Sequence, residues 1–200
     1  MNKLVVASEN EGKIFQIKNF LSEYDVNINI KGMKDFDINS PIENGKTYAE
    51  NALIKARHTF KITGLPTLAD DSGLNIDFLN GFPGLVTARF AEACGGYEKS
   101  FEIISKCLEG SSKRISFSTA VAFVYEKGGE VIEKVFEGKI NGEFVYPPRG
   151  ENGFGYCPCF KMDGYDKTLA ELSDEEIVEI NHRSIALKKF MDFFKNEFKE

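Results

Sequence analysis

The segment Thr67-Leu68-Ala69-Asp70-Asp71-Ser72-Gly73-Leu74-Asn75-Ile76 places two adjacent carboxylates directly after an apolar run. Thr67 to Ala69 is predicted to form a brief strand, and Leu74 to Ile76 to resume extended structure. Between them, Asp70-Asp71-Ser72-Gly73 has the residue types of a turn. In open α/β sheets, ligands bind just beyond the ends of strands, so a functional site is expected at this turn.

The two carboxylates of this turn have two interpretations. Paired carboxylate oxygens are typical ligands of a hard cation, and one of them can also orient or deprotonate an attacking water. An Asp-rich turn can equally well only satisfy its own backbone through local hydrogen bonds. The spacing of Asp70 and Asp71 leaves both interpretations open.

The N-terminal region predicts a strand, a polar loop and a helix. Lys3 to Ala7 is apolar, Ser8-Glu9-Asn10-Glu11-Gly12 is polar, and a helix is predicted from Lys13 to about Leu21. Backbone N–H groups at a helix N-terminus attract anions, so the loop and Lys13 are candidates to bind phosphates. The loop is not a Walker A motif, because Ala7 stands where that motif requires Gly. A plain helix N-cap is the alternative.

Two glutamates near the next predicted helix are candidates for a second metal ligand. Thr47 and Glu50 fit a capping box that begins a helix running to about Ile62. Glu50 therefore has a structural explanation, whereas Glu43, in a loop, has none. Either residue can also be an ordinary surface charge, and the choice between them as metal ligand stays open.

The rest of the chain predicts further helices and strands, and a loop rich in Gly and Pro at residues 147–156. Ser173 and Glu176 form a second capping box, which predicts one C-terminal helix that carries His182-Arg183. The other predicted elements are a helix from Glu98 to Leu108 and an antiparallel hairpin of Ile115 to Tyr125 and Val131 to Phe136, joined by a Gly128-Gly129 turn.

Two aromatic residues alternate with glycines in the segment Gly153-Phe154-Gly155-Tyr156. Because glycine has no side chain, the backbone of this segment can come close to a ligand. Aromatic faces stack on nucleobases, but a loop that packs in the core is the alternative. His182-Arg183 can contact base carbonyls or phosphates, or can lie on a solvated helix face.

Composition excludes several classes of protein. The 200 residues are 42% hydrophobic and 28% charged, which is typical of one globular domain, predicted here to span residues 1–200. The net charge of −6 argues against broad nucleic-acid binding. No apolar run resembles a signal peptide or a membrane span, so no membrane contact is predicted and the cytoplasm is the expected location. The four cysteines contain no CxxC pair and are expected to be free thiols.

Taken in order, the motifs resemble the inosine triphosphate pyrophosphatase family, also called XTP/dITP diphosphatases. The similarity covers Lys3 to about Leu187. The matching pieces are Ala7 to Lys13, Glu50-Asn51-Ala52 with Lys55-Ala56-Arg57, Ala69 to Leu74, Pro83-Gly84 with Ala88-Arg89, Gly153 to Tyr156, and Ala170-Glu171-Leu172 leading to His182-Arg183.

The resemblance implies an α/β fold with an elongated mixed central sheet flanked by helices, and two lobes with an active-site cleft between them. It implies a Mg²⁺-dependent homodimer that cleaves nonstandard purine nucleoside triphosphates (ITP, dITP, XTP) to the monophosphate and pyrophosphate. The implied catalytic base is Asp71, with Asp71, Asp70 and Glu43 at the metal. The implied substrate contacts are Ser8, Glu9, Asn10, Glu11, Gly12, Lys13, Lys55, Ser72, Phe154, Gly155, Tyr156, Cys157, His182 and Arg183.

Two positions depart from the family pattern near the implied base pocket. Cys157 stands where many relatives have Asp, and Ile177 stands where Lys is common. Loss of these polar groups is expected to weaken or alter purine selectivity. Two alternative functions therefore stay open: a pyrophosphatase for pyrimidine or modified nucleotides, and a nucleotide-binding module without catalysis.

Overall fold

The computed structural model describes residues 3–24 and 28–198. The strands are β1 (Lys3–Val6), β2 (Asn29–Gly32), β3 (Thr67–Ile76), β4 (Arg114–Lys127), β5 (Glu130–Phe144) and β6 (Phe160–Met162). The helices are α1 (Glu11–Ser22), α2 (Tyr48–Thr63), α3 (Thr87–Ala93), α4 (Tyr97–Cys107), α5 (Asp174–Ile180) and α6 (His182–Glu197). Short 3₁₀ segments, among them Met33–Phe36 and Cys157–Cys159, connect some of these elements.

Within the described residues the strands form one six-stranded sheet in the order β2-β1-β3-β4-β5-β6. β1 runs parallel to β2 and β3, and β6 runs antiparallel to β5. β4 and β5 are neighbours joined by Gly128 and Gly129, both with positive φ, as tight hairpin turns require. The predicted α/β fold with a mixed sheet is confirmed.

The acidic segment is not a turn, and that prediction is wrong. β3 continues without interruption through Asp70, Asp71, Ser72 and Gly73. Asp, Ser and Gly favour turns in isolation, but β3 pairs with β1 at Thr67 and Leu68 and lies beside β4 in the sheet, and this tertiary pairing overrides that local preference. Both carboxylates therefore lie inside a central strand of the sheet.

The predicted single C-terminal helix is two helices. α5 ends at Asn181, which has an extended backbone with φ −73° and ψ 163°. The Asn181 side-chain amide donates to the Ile177 carbonyl oxygen at 2.7 Å and so caps the end of α5. An Asn side chain that binds a backbone carbonyl oxygen competes with the hydrogen bonds of the helical backbone. This competition explains why the helix is interrupted at Asn181, which the apolar periodicity did not predict. As a result, His182 and Arg183 begin α6.

The chain divides into two compact units. The first comprises Met1–Asp71, Thr119–Gly138 and Arg183–Glu200, apart from the residues that are not described, and the second comprises Ser72–Ser118 and Lys139–His182. The single domain predicted over residues 1–200 stays a prediction. No helix within residues 3–24 and 28–198 is long and apolar enough to cross a membrane.

Small residues bring α2 close to the sheet in the first unit. Ala52 and Ala56 of α2 are fully buried against Ala7, Ala69 and other small apolar residues. Because the alanine side chain is small, the helix can pack close to the strands beneath it. The polar residues on the same face of α2 are thus held directly over β3.

Candidate active site

In the first unit, Asp70 and Asp71 are both buried, with relative exposures of 1% and 6%. Successive residues of a strand point to opposite faces of the sheet. Asp71 accordingly contacts residues of α2, whereas Asp70 contacts residues of α1 and α6. The two adjacent carboxylates therefore have separate surroundings and separate roles.

The Asp71 carboxylate lies within a small group of polar side chains. Its Oδ2 accepts a hydrogen bond from Asn51 Nδ2 at 3.0 Å, and its Oδ1 lies 3.7 Å from Lys55 Nζ. Lys55 Nζ also lies 3.1 Å from Glu43 Oε1. Oxygens of Asp71 and Glu43 thus converge on one cationic atom.

Burial raises the pKa of Asp71 above its ordinary value of 3.8. The positive charges of Lys55 and Lys13 and the hydrogen bond from Asn51 oppose this shift. A carboxyl group whose pKa is raised by its surroundings is a better proton acceptor than an exposed one. This property suits a general base.

The Asp70 carboxylate is the centre of a buried ion-pair network. Its Oδ2 accepts hydrogen bonds from Arg183 Nε at 3.1 Å and Nη2 at 3.0 Å, and it lies 3.2 Å from Lys13 Nζ. Arg183, only 1% exposed, also donates to the Gln16 side chain. These contacts make Asp70 a counter-ion for two cationic side chains.

Burial alone would raise the pKa of Asp70, but the positive charges of Lys13, Arg183 and Lys55 outweigh burial and hold that pKa well below its ordinary value. Burial in turn lowers the pKa of Lys13, and Asp70 opposes that shift. Asp70 is therefore ionised. Its negative charge keeps Lys13 and Arg183 in place.

The predicted phosphate loop precedes α1. Asn10 is the N-cap of α1, and its Oδ1 accepts from Lys13 N at 3.1 Å, which confirms the N-cap interpretation. Ser8 Oγ accepts from Asn10 N at 3.2 Å, and α1 begins at Glu11, so Glu11 and Gly12 lie in the first turn of the helix and not in the predicted loop. Phosphate binding by the loop stays a prediction.

Glu9 in the loop and Glu11 at the start of α1 have other contacts. The Glu9 carboxylate accepts from Ser40 N at 2.9 Å, and the Glu11 carboxylate contacts Lys34 Nζ, also at 2.9 Å. The exposed Glu50 carboxylate accepts from Lys46 N at 2.6 Å. Of the two candidates for a second metal ligand, Glu43 is the one that the structure brings near Asp71.

In the second unit, the His182 ring is stacked on Phe117, with centroids 5.0 Å apart and an interplanar angle of 23°. Phe117 is itself stacked on Phe160 at 4.4 Å. Phe154 and Ser72 are partly exposed. His182 therefore belongs to an aromatic stack within the second unit.

Tyr156 is packed in the core of the second unit. It is 2% exposed, and its ring makes edge contacts with Tyr97 at 5.3 Å and Phe101 at 5.4 Å. Burial raises the pKa of Tyr156 to about 12. These contacts favour the core-packing interpretation for this ring, and its predicted contact with a base stays untested.

Cys157 and Ile177, the two positions at which the resemblance is incomplete, both lie close to Gly153. A Cβ atom at Gly153 would lie 3.0 Å from Cys157 Sγ and 3.7 Å from Ile177 Cδ1. Cys157 is 8% exposed and Ile177 is 2% exposed. Both side chains are thus buried beside Gly153, and neither carries a charge that could contact a base.

The aromatic loop is attached to the backbone of Ala170. Glu151 N and Asn152 N both donate to the Ala170 carbonyl oxygen at 3.0 Å. The backbone at Gly150 has φ +84°, and a Cβ there would lie 2.2 Å from the Ala170 carbonyl carbon. Only glycine allows this close approach.

We therefore expect Gly150→Ala to lower the free energy of unfolding for two reasons: the positive φ is strained for alanine, and the new methyl group collides with backbone. The collision is expected to contribute about 1–3 kcal/mol in addition to the loss from φ strain. Gly110→Ala is the matched control, since Gly110 has φ +69° and nothing within 4 Å of an added Cβ. Urea denaturation measures both. Equal losses for the two variants would contradict the close approach.

Asn51, Gln16 and Phe117 contact predicted site residues, but none of the three was itself predicted to belong to the site. Asn51 and Lys55 are four residues apart on the face of α2 that buries alanines, and polar residues within such an apolar stripe were a usable signal. Gln16 and Phe117 had no comparable signal, because their partners are distant in sequence.

The chain is similar to known proteins over nearly its whole length. The Ham1 family model matches residues 4–193. A dITP/XTP pyrophosphatase from Thermoanaerobacter pseudethanolicus is 40% identical over 203 residues, covering 99% of each chain. One from Dictyoglomus thermophilum is 38% identical and covers 96% of this chain and 95% of its own length.

Solved structures agree with the sequence comparisons. The HAM1 protein from Coxiella burnetii aligns with a TM-score of 0.84 at 34% identity, covering 98% of this chain and 100% of that chain. The match extends over the strands and helices that carry both groups of candidate residues. The resemblance drawn from the ordered motifs is confirmed, and the chain belongs to the Ham1 family.

Proposed function

We propose that this chain hydrolyses nonstandard purine nucleoside triphosphates, such as the inosine and xanthosine forms, to the monophosphate and pyrophosphate. The observation that carries the proposal is the convergence of Glu43, Asp71 and Lys55 in the first unit, in which the ammonium group lies between two carboxylates. The names of the relatives, dITP/XTP pyrophosphatase, support the same reaction.

The donor set suits Mg²⁺, which binds oxygen ligands and is commonly held by one or two carboxylates together with substrate phosphates. Within residues 3–24 and 28–198, no three His, Cys, Asp or Glu side chains are placed to hold one metal ion. Asp71 and Glu43 would therefore hold Mg²⁺ together with the substrate. For Asp70 we propose a counter-ion role in place of the predicted metal contact, because its Oδ2 pairs with Arg183 and Lys13.

Bound Mg²⁺ would neutralise negative charge on the phosphate oxygens. Asp71 orients a water molecule for in-line attack on the α-phosphorus and accepts the proton that the water loses. Its raised pKa, caused by burial, suits that role. The bond from the α-phosphorus to the bridging oxygen breaks, and pyrophosphate leaves.

Positive groups near Asp71 stabilise the charge that develops on the leaving pyrophosphate. Lys13 and Lys55 are held by carboxylates, so their positions are set before the substrate arrives. Backbone N–H groups of Ser8 to Lys13, at the N-terminus of α1, can donate to phosphate oxygens. Charge stabilisation of this kind is the main element of phosphoryl-transfer catalysis.

Base recognition is assigned to the second unit. We propose that His182, on its aromatic stack, and the partly exposed Phe154 contact the purine. Arg183 contacts Asp70 and Gln16, so we propose that it positions the α6 N-terminus in place of the predicted base contact. The homodimer and the cytoplasmic location that the resemblance implies stay predictions.

Pyrophosphate release from ITP, XTP, GTP and dTTP, with Mg²⁺ and with EDTA, tests the proposed function. We expect kcat/KM for ITP and XTP to exceed that for GTP and dTTP at least about tenfold, a difference of about 1.4 kcal/mol in transition-state binding. Activity is expected to disappear in EDTA and to return when Mg²⁺ is added.

Equal kcat/KM values for all four nucleotides would contradict purine selectivity. Preference for dTTP would favour the pyrimidine or modified-nucleotide alternative. Binding of ITP without pyrophosphate release at saturating Mg²⁺ would favour a module that binds nucleotides without cleaving them.

A further inference from the structure

Asn51 is almost fully buried, at 1% exposure, and both ends of its side-chain amide are engaged. Its Nδ2 donates to Asp71 Oδ2 at 3.0 Å, and its Oδ1 accepts from Gly45 N at 2.8 Å. A carboxylate can only accept and a backbone N–H can only donate, so these partners determine which way the amide points.

The bond to Asp71 orients the carboxylate. With Oδ2 engaged by Asn51, the other oxygen, Oδ1, is the one that lies toward Lys55. Glu43 reaches the same ammonium group with Oε1. Rotation of the Asp71 side chain would move Oδ1 away from Glu43, and the Asn51 hydrogen bond opposes that rotation.

The bond to Gly45 holds the loop that carries Glu43. Residues 38–45 have no regular secondary structure, so no helix or strand holds Glu43 in position. Gly45, two residues beyond Glu43, lies so close to α2 that a Cβ there would be 2.6 Å from Asn51 Oδ1. Glycine at this position is thus explained by close approach to the amide.

We infer that Asn51 is a positioning residue, which joins the Glu43 loop to the Asp71 carboxylate and so sets the spacing of the two proposed metal ligands. The inference rests on the proposed function, since it takes Asp71 and Glu43 as metal ligands. Residues that orient metal ligands through hydrogen bonds commonly change metal affinity or activity about 10- to 100-fold when they are replaced.

Mn²⁺ binding, followed by the electron paramagnetic resonance signal of the free ion and by competition with Mg²⁺, tests this inference. Asn51→Leu keeps a similar shape and removes both hydrogen bonds, and we expect it to raise the Kd for Mn²⁺ about 10- to 100-fold. Gly45→Ala disturbs the same amide from the loop side, and we expect a change in the same direction. Gly45→Ala also tests the inference if Asn51→Leu does not fold.

Two controls separate positioning from a general loss of stability. Val124→Ala creates a cavity at a fully buried site in the same unit, and we expect it to lower Tm without changing the Kd. Gly32→Ala is the matched glycine control, because an added Cβ there meets no atom closer than 3.8 Å. We expect it to bind Mn²⁺ as the wild type does.

Asp71→Asn distinguishes the two ways in which the inference can fail. If Asp71→Asn weakens Mn²⁺ binding while Asn51→Leu and Gly45→Ala retain the wild-type Kd, the role of Asn51 is wrong and the proposed metal site stands. If Asp71→Asn also retains the wild-type Kd, the proposed metal site is wrong and the inference is overturned with it.

Discussion

Asp71→Asn is expected to lower kcat for pyrophosphate release from ITP about 10²- to 10⁴-fold, the usual contribution of a positioned general base. The amide cannot accept a proton from the attacking water at neutral pH. It also replaces one carboxylate oxygen by an NH₂ group, which is a poor partner for a hard cation. The loss is expected to persist at saturating ITP and Mg²⁺.

The same change is expected to leave Tm equal to that of the wild type or higher. Because burial raises the pKa of Asp71, its charged form is less favourable in the folded chain than in the unfolded chain. The stability cost appears as the pH rises through the unfolded and then the folded pKa, and the neutral amide removes it. Activity and stability should therefore change independently.

Asp77→Asn is the matched control for this variant, since Asp77 is exposed just beyond the end of β3. It should retain wild-type kcat. Near-wild-type pyrophosphate release by Asp71→Asn would refute the assignment of Asp71 as the base, and a large fall in its Tm would show that the lost activity reflects unfolding.

Asp70→Asn, one residue away, is expected to have its main effect on stability. Removing the charge leaves Arg183 and Lys13 without their carboxylate, and Arg183 is 1% exposed. Removing one partner of a buried ion pair costs about 3–5 kcal/mol of the free energy of unfolding. Urea denaturation at neutral pH, followed by circular dichroism, measures the loss.

The stability that Asp70 contributes is also expected to depend on pH with a definite sign. Neighbouring cations outweigh burial and lower its pKa in the folded chain, so the contribution is complete above the ordinary pKa of 3.8 and is lost as the pH falls through the lower folded value. The difference in stability between the wild type and Asp70→Asn should therefore shrink in acid.

Asp163→Asn is the control for Asp70→Asn, because Asp163 also accepts two hydrogen bonds from a guanidinium group, that of Arg114, but at the surface. Exposed ion pairs contribute little, since solvent screens both charges. If Asp70→Asn destabilised the chain no more than Asp163→Asn, the buried network would not have the role assigned to it.

Periodicity and capping signals in the sequence predicted the type and approximate position of several elements. The apolar run at Lys3 to Ala7, the Thr47 cap and the Gly128-Gly129 turn all correspond to elements of the structure. These signals work because they depend on residues near one another in sequence. β2, β6 and α3 were missed, since short elements carry too few residues for a clear period.

The α/β class, the family and the residue types available for chemistry could be predicted from the sequence, because they follow from local patterns and from motifs in order. The three-dimensional structure was needed to show that Asp70 and Asp71 lie in one continuous strand and point to opposite faces. On one face, burial raises the pKa of Asp71 although Asn51 donates to it; on the other face, Asp70 is a counter-ion of Arg183. The two aspartates are equivalent as residues, and their roles differ because distant segments supply different neighbours to each face of the sheet.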